Sequence, residues 1–347
     1  MATQKGLVVE KAGAPFTVVD NIPRSKPGPK QALVKSLFVA INPVEVFMQQ
    51  TAILTTALPA VLGSDFGAIV LETGSECKKL HKGDYVFGSC NLGQNAYSPF
   101  QETFLVDEDA AFRKSGNISV EESTTMGVGI LTSSFGIIVG GKVALPDAEA
   151  TVPERDEWIV VLGGSGTVGH FGIQIARACG YKVAASCSPA KSSKVLASGA
   201  NAAFSNRASP DEQAAEVKSI TGGKVGLVWD SSGQAHEAGF KILAESTAQA
   251  KYFSTTDNVN NYTVPAGINE YQVRIGMLGR DTDIGRHISE ETVKLVPVLE
   301  GHVAKGTLGP VEFDVFDESG WEALVDAIKY YAEGKAAKKL LVRLQAV

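Results

Sequence analysis

The sequence predicts an α/β protein with two domains, one rich in β-structure and one a doubly wound parallel sheet. Three observations predict it. The apolar run Val160-Val161-Leu162 breaks into a glycine turn and passes directly into a helix-like pattern at Thr167. From Trp158 onward, strand-like and helix-like segments alternate. The first third instead carries short β-like runs divided by Gly and Pro. A length of 347 residues exceeds one ordinary core, so two domains are the expectation.

The elements follow in order. Residues 5–9, 32–40, 67–71, 85–87 and 102–106 read as strands of a mostly antiparallel domain. Residues 119–140 turn helical, and 140–157, rich in Gly, Pro and charge, read as a surface loop. Strands are then expected at 158–162, 182–187, 202–205, 227–230 and 251–254, with a sixth at 271–278. Helices are expected between them at 167–179, 191–197, 211–220 and 234–243. In the first of these, Val168, Phe171, Ile175 and Ala178 recur at helical spacing and form one apolar face. Two helices at 290–305 and 321–334 and a strand at 339–344 return to the first domain. The expected boundaries are 1–133 with 285–347 for that domain, and 134–284 for the parallel sheet.

Bulk properties exclude some functions. Hydrophobic residues make up 44% and charged residues 20%, as in ordinary globular chains. A net charge of −6 argues against a nucleic-acid surface. No apolar stretch reaches membrane-spanning length, and the first residues lack a secretory apolar segment. The four cysteines lack C-x-x-C spacing and read as reduced thiols, so a cytoplasmic location is expected.

Gly164, Gly166 and Gly169 spell G-x-G-x-x-G between a strand and a helix. Gly164 is expected to permit the tight turn, Gly166 to let the backbone approach a pyrophosphate, and Gly169 to let helix and strand pack closely. The candidate phosphate cradle is therefore Gly164, Ser165, Gly166, Thr167 and Val168, where the free N–H groups of a helix start face an anion.

With these motifs in place, the chain resembles the medium-chain dehydrogenase/reductase superfamily over nearly its whole length. Asn42-Pro43-Val44-Glu45 is close to that family's N-P-x-D. The stretch from Pro59 to Gly67 is close to P-x-x-x-G-x-[DE]-x-x-G, with the last glycine one residue early. Gly83-Asp84-Tyr85-Val86 matches G-D-x-V, and the run from Gly334-Lys335 to Lys338-Lys339-Leu340-Leu341-Val342 resembles the closing G-K…K-x-V strand. The resemblance implies a GroES-like substrate domain, a Rossmann domain for NAD(P) and an active site in the cleft between them. Cys187-Ser188-Pro189 and the long loop before Trp158 make the fungal ToxD-like trans-acting enoyl reductases the most similar subgroup. The resemblance also implies cofactor contacts from Asn42, Pro43, Glu45, Thr132 and Lys339. Thr132 would touch the nicotinamide or cap its own turn; Phe253 and Leu278 would line the nicotinamide side or be core.

Zinc is expected to be absent. The ligand positions of zinc-dependent relatives fall near Val44, at Ser64 and near Val128, and valine has no lone pair to donate. NADPH is expected over NADH. The second strand of the parallel sheet ends Ser186-Cys187-Ser188 without the carboxylate that would bind the adenosine ribose. Ser188, Lys191, Asn206 and Arg207 offer hydroxyl, amide and positive charge for a 2′-phosphate.

The expected reaction is hydride transfer to the β-carbon of an enone or enoyl thioester. Some enoyl reductases of the superfamily carry a proton-donating tyrosine after N-P-x-D, whereas residues 48–57 here contain none. Thr51, Ser64 and Tyr97 are the remaining candidates, with water as the alternative source. The alternatives are a quinone oxidoreductase and an NADPH-binding protein without turnover. The expected partners are a small α,β-unsaturated carbonyl or a carrier-bound thioester, with a carrier protein or synthase for the latter. The chain is expected to act as a monomer or homodimer, with no nucleic-acid or membrane partner.

Overall fold

A computed structural model describes residues 2–256 and 262–346. The chain forms two units, each compact and each built from more than one stretch of sequence. The first takes residues 1–128, 276–300 and 309–347, and the second takes 129–275 and 301–308.

The first unit opens with β1 (Thr3–Val8), β2 (Thr17–Pro23) and β3 (Gln31–Ala40). Helix α1 (Pro43–Thr51) starts with proline at its first position, where no N–H is needed. Strands β4 (Asp65–Thr73), β5 (Tyr85–Ser89), β6 (Thr103–Asp107) and β7 (Phe112–Arg113) follow, then α2 (Val120–Thr124). Helix α3 (Gly127–Ser134) carries the chain into the second unit and widens into a π-helical segment, Phe135–Gly140. Small residues permit that segment to lie close to the sheet. A Cβ on Gly136 would collide with the Trp229 ring, and one on Gly140 with Ser254 Oγ.

The second unit builds β8 (Trp158–Leu162), α4 (Thr167–Ala178), β9 (Lys182–Cys187), α5 (Ser192–Ala197) and β10 (Ala202–Ser205). It continues with α6 (Pro210–Thr221), β11 (Val225–Asp230), α7 (His236–Ala244), β12 (Tyr252–Thr256) and β13 (Asn269–Val273). All six strands are parallel, in the order β10-β9-β8-β11-β12-β13. The order reverses between β8 and β11, and ligands of such sheets bind at the carboxyl ends beside that reversal. The core of this unit is apolar, with Val160, Leu162, Val228 and Phe253 fully buried.

The chain returns through α8 (Asp283–Lys305), β14 (Phe313–Val315), α9 (Trp321–Ala332) and β15 (Lys339–Arg343). β15 pairs antiparallel with β3, which pairs with β4 and β6. Two expectations shift. The sixth strand of the parallel sheet ends at Val273, because Ile275–Met277 coils into a 3₁₀ turn. Helix α8 starts at Asp283 rather than residue 290 and contains Pro297. Among the described residues, no helix is long and apolar enough to cross a membrane.

Candidate functional site

In the second unit, the turn between β8 and α4 is shaped by close backbone contacts. Gly163 takes the positive φ, 80°, so the turn's left-handed residue is Gly163 and not the expected Gly164. Gly164 is needed for space, since a Cβ there would lie 2.9 Å from Ala185 Cβ. Gly169 is tighter still: a Cβ there would run into Gly163 O and lie 2.7 Å from Gly164 Cα. Gly166 caps α4 in extended geometry without a side-chain cap, and only Gly163 O, at 3.5 Å, would meet a Cβ there. The first amides of a 12-residue helix are thus left for an anion that can approach the backbone closely. Ser165, Thr167 and Val168 are half-buried around this turn.

Ser186 braces the cradle. Its hydroxyl accepts from Gly163 N at 2.9 Å and its carbonyl from Gly164 N at 2.8 Å. One residue beyond the end of β9, Ser188 is half-buried and starts the 3₁₀ turn Pro189–Lys191. Ser205 pairs with Cys187, and Asn206 N donates to Cys187 O at 3.0 Å. The fold therefore sets the Asn206–Arg207 turn beside Ser188. Lys191 and Arg207 are exposed and form no ion pair among the described residues.

Thr132 lies within α3 and is buried, and its hydroxyl has no hydrogen-bond partner among the described residues. It does not cap its own turn. A buried hydroxyl without a protein partner keeps its bonding capacity for a ligand. The Ser254 and Thr255 hydroxyls, on β12, are buried and unpartnered in the same way.

The first unit holds a second polar cluster. Asn42 Nδ2 donates to Ser64 Oγ at 2.8 Å and to Asp65 Oδ2 at 2.9 Å. Lys339 Nζ donates to Asp65 Oδ2 at 2.7 Å and also to Asn42 Oδ1. Ser64 Oγ donates to Glu45 Oε1, and Glu45 Oε2 accepts from Asn42 N at 2.7 Å. Asp65 Oδ1 receives the amide of Val128 at 2.7 Å, which ties the start of α3 to β4. All five of these side chains are buried. Burial pushes Glu45 up to about 7, against the pull of the Ser64 hydrogen bond and the Lys339 charge. Burial also pushes the neighbouring Cys90 thiol up.

Residues 28–115 match the family described as the alcohol dehydrogenase GroES-like domain. The trans-enoyl reductase TOXD of Cochliobolus carbonum is 31% identical over 265 residues, which covers 74% of this chain and 85% of that protein. The chain belongs to the medium-chain dehydrogenase/reductase superfamily. Within it the chain stands close to the ToxD-like enoyl reductases. The trans-enoyl reductase traG of Penicillium crustosum is 30% identical over 258 residues, 72% of this chain and 69% of its own length. An alcohol dehydrogenase superfamily protein from Novosphingobium aromaticivorans shares the fold, with a TM-score of 0.79 at 20% identity over 99% of this chain and 100% of that one. The chain is thus an oxidoreductase of the medium-chain dehydrogenase/reductase type.

In this medium-chain dehydrogenase/reductase the expected site residues fall into distinct environments. The glycine turn, Ser188, Lys191, Asn206 and Arg207 share one end of the parallel sheet. The side chains of Asn42, Glu45 and Lys339 are engaged with one another inside the first unit, while Pro43 is exposed at the start of α1. Phe253 takes the core alternative: its ring packs against Gly239 and Phe240 of α7. Leu278 is buried beyond the 3₁₀ turn, off the end of any strand. Thr51 Oγ1 donates to Phe47 O at 2.7 Å, and the Ser64 proton goes to Glu45, so neither hydroxyl is free. Tyr97 is half-buried, and burial together with Asp107 raises its pKa, which weakens it as an acid. Ser186, Asp65 and the Ser254–Thr255 pair were not anticipated. Two of them have a signal in the sequence: Asp65 is the acidic residue of the motif over Pro59–Gly67, and Ser186 precedes the expected end of the second strand.

Proposed function

We propose that this chain is a zinc-independent, NADPH-dependent reductase of activated C=C bonds, acting on an enone or enoyl thioester. The observation that carries the cofactor assignment is the carboxylate-free end of β9. There Ser188 stands beside the Asn206–Arg207 turn, with Lys191 exposed nearby. A 2′-phosphate finds hydroxyl and cationic donors there, and no acid to repel it. The α4 amides hold the pyrophosphate, and the Thr132 hydroxyl gains the partner it lacks within the protein.

When bound, the dinucleotide supplies a hydride for the β-carbon of the substrate. The names of the trans-enoyl reductases support the choice of a C=C substrate. The negative charge that develops is spread over an enolate, and a proton must then reach the α-carbon. Thr51 and Ser64 are engaged and Tyr97 is a weakened acid, so the proton comes from water. The case against zinc rests on donor chemistry. Val44 and Val128 offer no lone pair, and the Ser64 hydroxyl is bonded to Glu45. Residues 48–57 face the substrate in this reading, from their likeness to the tyrosine-bearing stretch of related enoyl reductases.

A panel of an enone, a quinone and a crotonyl thioester, each with NADPH and NADH, tests the reading. Alkene turnover selective for NADPH and indifferent to chelator is expected. Turnover of quinone alone would make the chain a quinone reductase, and NADPH binding without oxidation would remove it from the enzymes. In Lys191→Ala/Arg207→Ala the KM for NADPH is expected to rise about 10- to 100-fold while that for NADH stays level, since two charge-assisted contacts are lost. An equal change for both cofactors would refute the 2′-phosphate pocket. Thr132→Val should leave the melting temperature nearly unchanged, because the hydroxyl has no partner to lose, yet weaken NADPH binding about three- to tenfold. Titration by cofactor fluorescence measures this, and unchanged affinity would exclude the contact.

A further inference from the structure

The segment after α1 departs from ordinary backbone geometry. Of the three non-glycine residues with positive φ among the described residues, two lie here, Ala52 at 54° and Leu54 at 64°. Ala52 closes α1 as a left-handed cap, donating to Met48 O at 2.8 Å. No helix end accounts for Leu54, whose conformation is unfavourable for a branched L-residue.

Arg280 supplies what holds it. Its Nη2 donates to Leu54 O, and also to Leu92 O at 2.7 Å. The Leu54 carbonyl lies so close to Gly93 that a Cβ there would collide with it. The Leu54 side chain reaches Gly276, where a Cβ would lie 2.7 Å from Cδ1. Gln94 Nε2 adds a bond to Gly279 O at 3.2 Å. Three loops of the first unit therefore meet around one guanidinium. Arg280 forms no ion pair among the described residues, and its Nε is buried without a partner. A partly buried cation spent on two carbonyls, with no carboxylate to neutralise it, serves geometry more than net stability.

The shape so held keeps large apolar side chains in solvent. Phe47 is 42% exposed, Ile53 46% and Leu58 48%. Thr51 fastens the segment to α1, donating to Phe47 O at 2.7 Å and accepting from Ile53 N at 3.3 Å. Strain that persists around exposed apolar groups marks a surface formed for contact. We infer that Arg280 is a positioning residue, latching segment 52–58 into the shape that receives the substrate. The inference rests on the enoyl-reductase reading above, in which residues 48–57 face the substrate. Arg280 acts through the Leu54 and Leu92 carbonyls and does not itself touch the reacting atoms.

The test uses the full chain as Arg280→Ala and Arg280→Lys. Amide exchange is followed in a peptide spanning 52–58, with one spanning 158–187 as internal reference, alongside steady-state reduction of an enone. In Arg280→Ala, exchange at 52–58 is expected to quicken at least tenfold while the reference stays unchanged. The KM for the enone should rise about tenfold with the KM for NADPH unchanged, as expected when a contact surface is misplaced. Arg280→Lys keeps the charge on a shorter side chain, which draws the donor back from the two carbonyls, so intermediate values of both are expected. Unchanged exchange at 52–58 would overturn the latch. Faster exchange with unchanged enone KM would overturn the positioning role and leave only a structural one. Failure of the wild-type chain to reduce any activated alkene would instead overturn the enoyl-reductase reading, and the exchange experiment would still decide the latch.

Discussion

Lys339→Met is expected to destabilise the first unit by about 3–5 kcal/mol. The side chains of Lys339 and Asp65 are only 4% and 0% exposed, and their polar atoms lie 2.7 Å apart. A carboxylate taken out of water needs its counter-charge, and methionine fills the volume without supplying one. Asp65 cannot move away, because its other oxygen receives the Val128 amide. Asn42 loses a partner at the same time, since its Oδ1 accepts from Lys339. Urea unfolding checks the magnitude, and a loss below about 1 kcal/mol would mean that water reaches the cluster and screens it. Adding Asp65→Asn to Lys339→Met should recover part of the loss, because the two changes act on one ion pair.

Glu45 should impose an unusual pH profile on stability. Its folded-state pKa is raised from 4.5 to about 7, whereas a structural carboxylate more often has its pKa depressed. Between those values the unfolded chain releases a proton that the folded chain keeps, so stability falls as pH rises. The loss begins near pH 4.5, is complete just above pH 7 and amounts to roughly 3 kcal/mol. The groups facing Glu45 shape the same transition. Lys339 pulls its pKa down and Asp65 pushes it up, while Cys90 and Tyr331 feel its charge as part of their own upward shifts. Unfolding free energies measured from pH 5 to pH 8 in wild type and Glu45→Gln should differ in slope, with the variant flatter. Parallel slopes would show that the proton uptake belongs to another group.

The parallel sheet was legible because its signals are local. An apolar run of five residues, a glycine turn and a helical period lie side by side in the chain, and the bounds of β8, β9 and β10 agree with the expected ones. Even there, a double glycine offered two places for the left-handed turn. Gly163 takes it, and Gly164 is held to glycine by Ala185, a residue on the neighbouring strand that periodicity does not reveal. β2 escaped notice because its residues are largely solvated and mostly polar at its centre, so no alternation marks it. Helix α1 was hidden by its shortness and by the proline that begins it. The buried polar cluster could not be read at all. Asn42, Glu45, Ser64, Asp65 and Lys339 each lie in a family motif, but that they lie against one another is a matter of tertiary contact. Phe253 shows the converse problem, since an aromatic at a strand end looks the same in sequence whether it faces a cofactor or the next helix.

The bond between Lys339 and Asn42 joins residues 297 positions apart. During synthesis, Asn42, Glu45, Ser64 and Asp65 leave the ribosome long before Lys339, whose charge neutralises Asp65. The second unit, by contrast, draws most of its residues from one unbroken stretch, 129–275. Its strands can pair while the first unit still waits for its last strand. The second unit can therefore complete its sheet before the first. A nascent chain stopped before residue 339 would carry a complete parallel sheet beside an N-terminal portion with an unneutralised acidic centre.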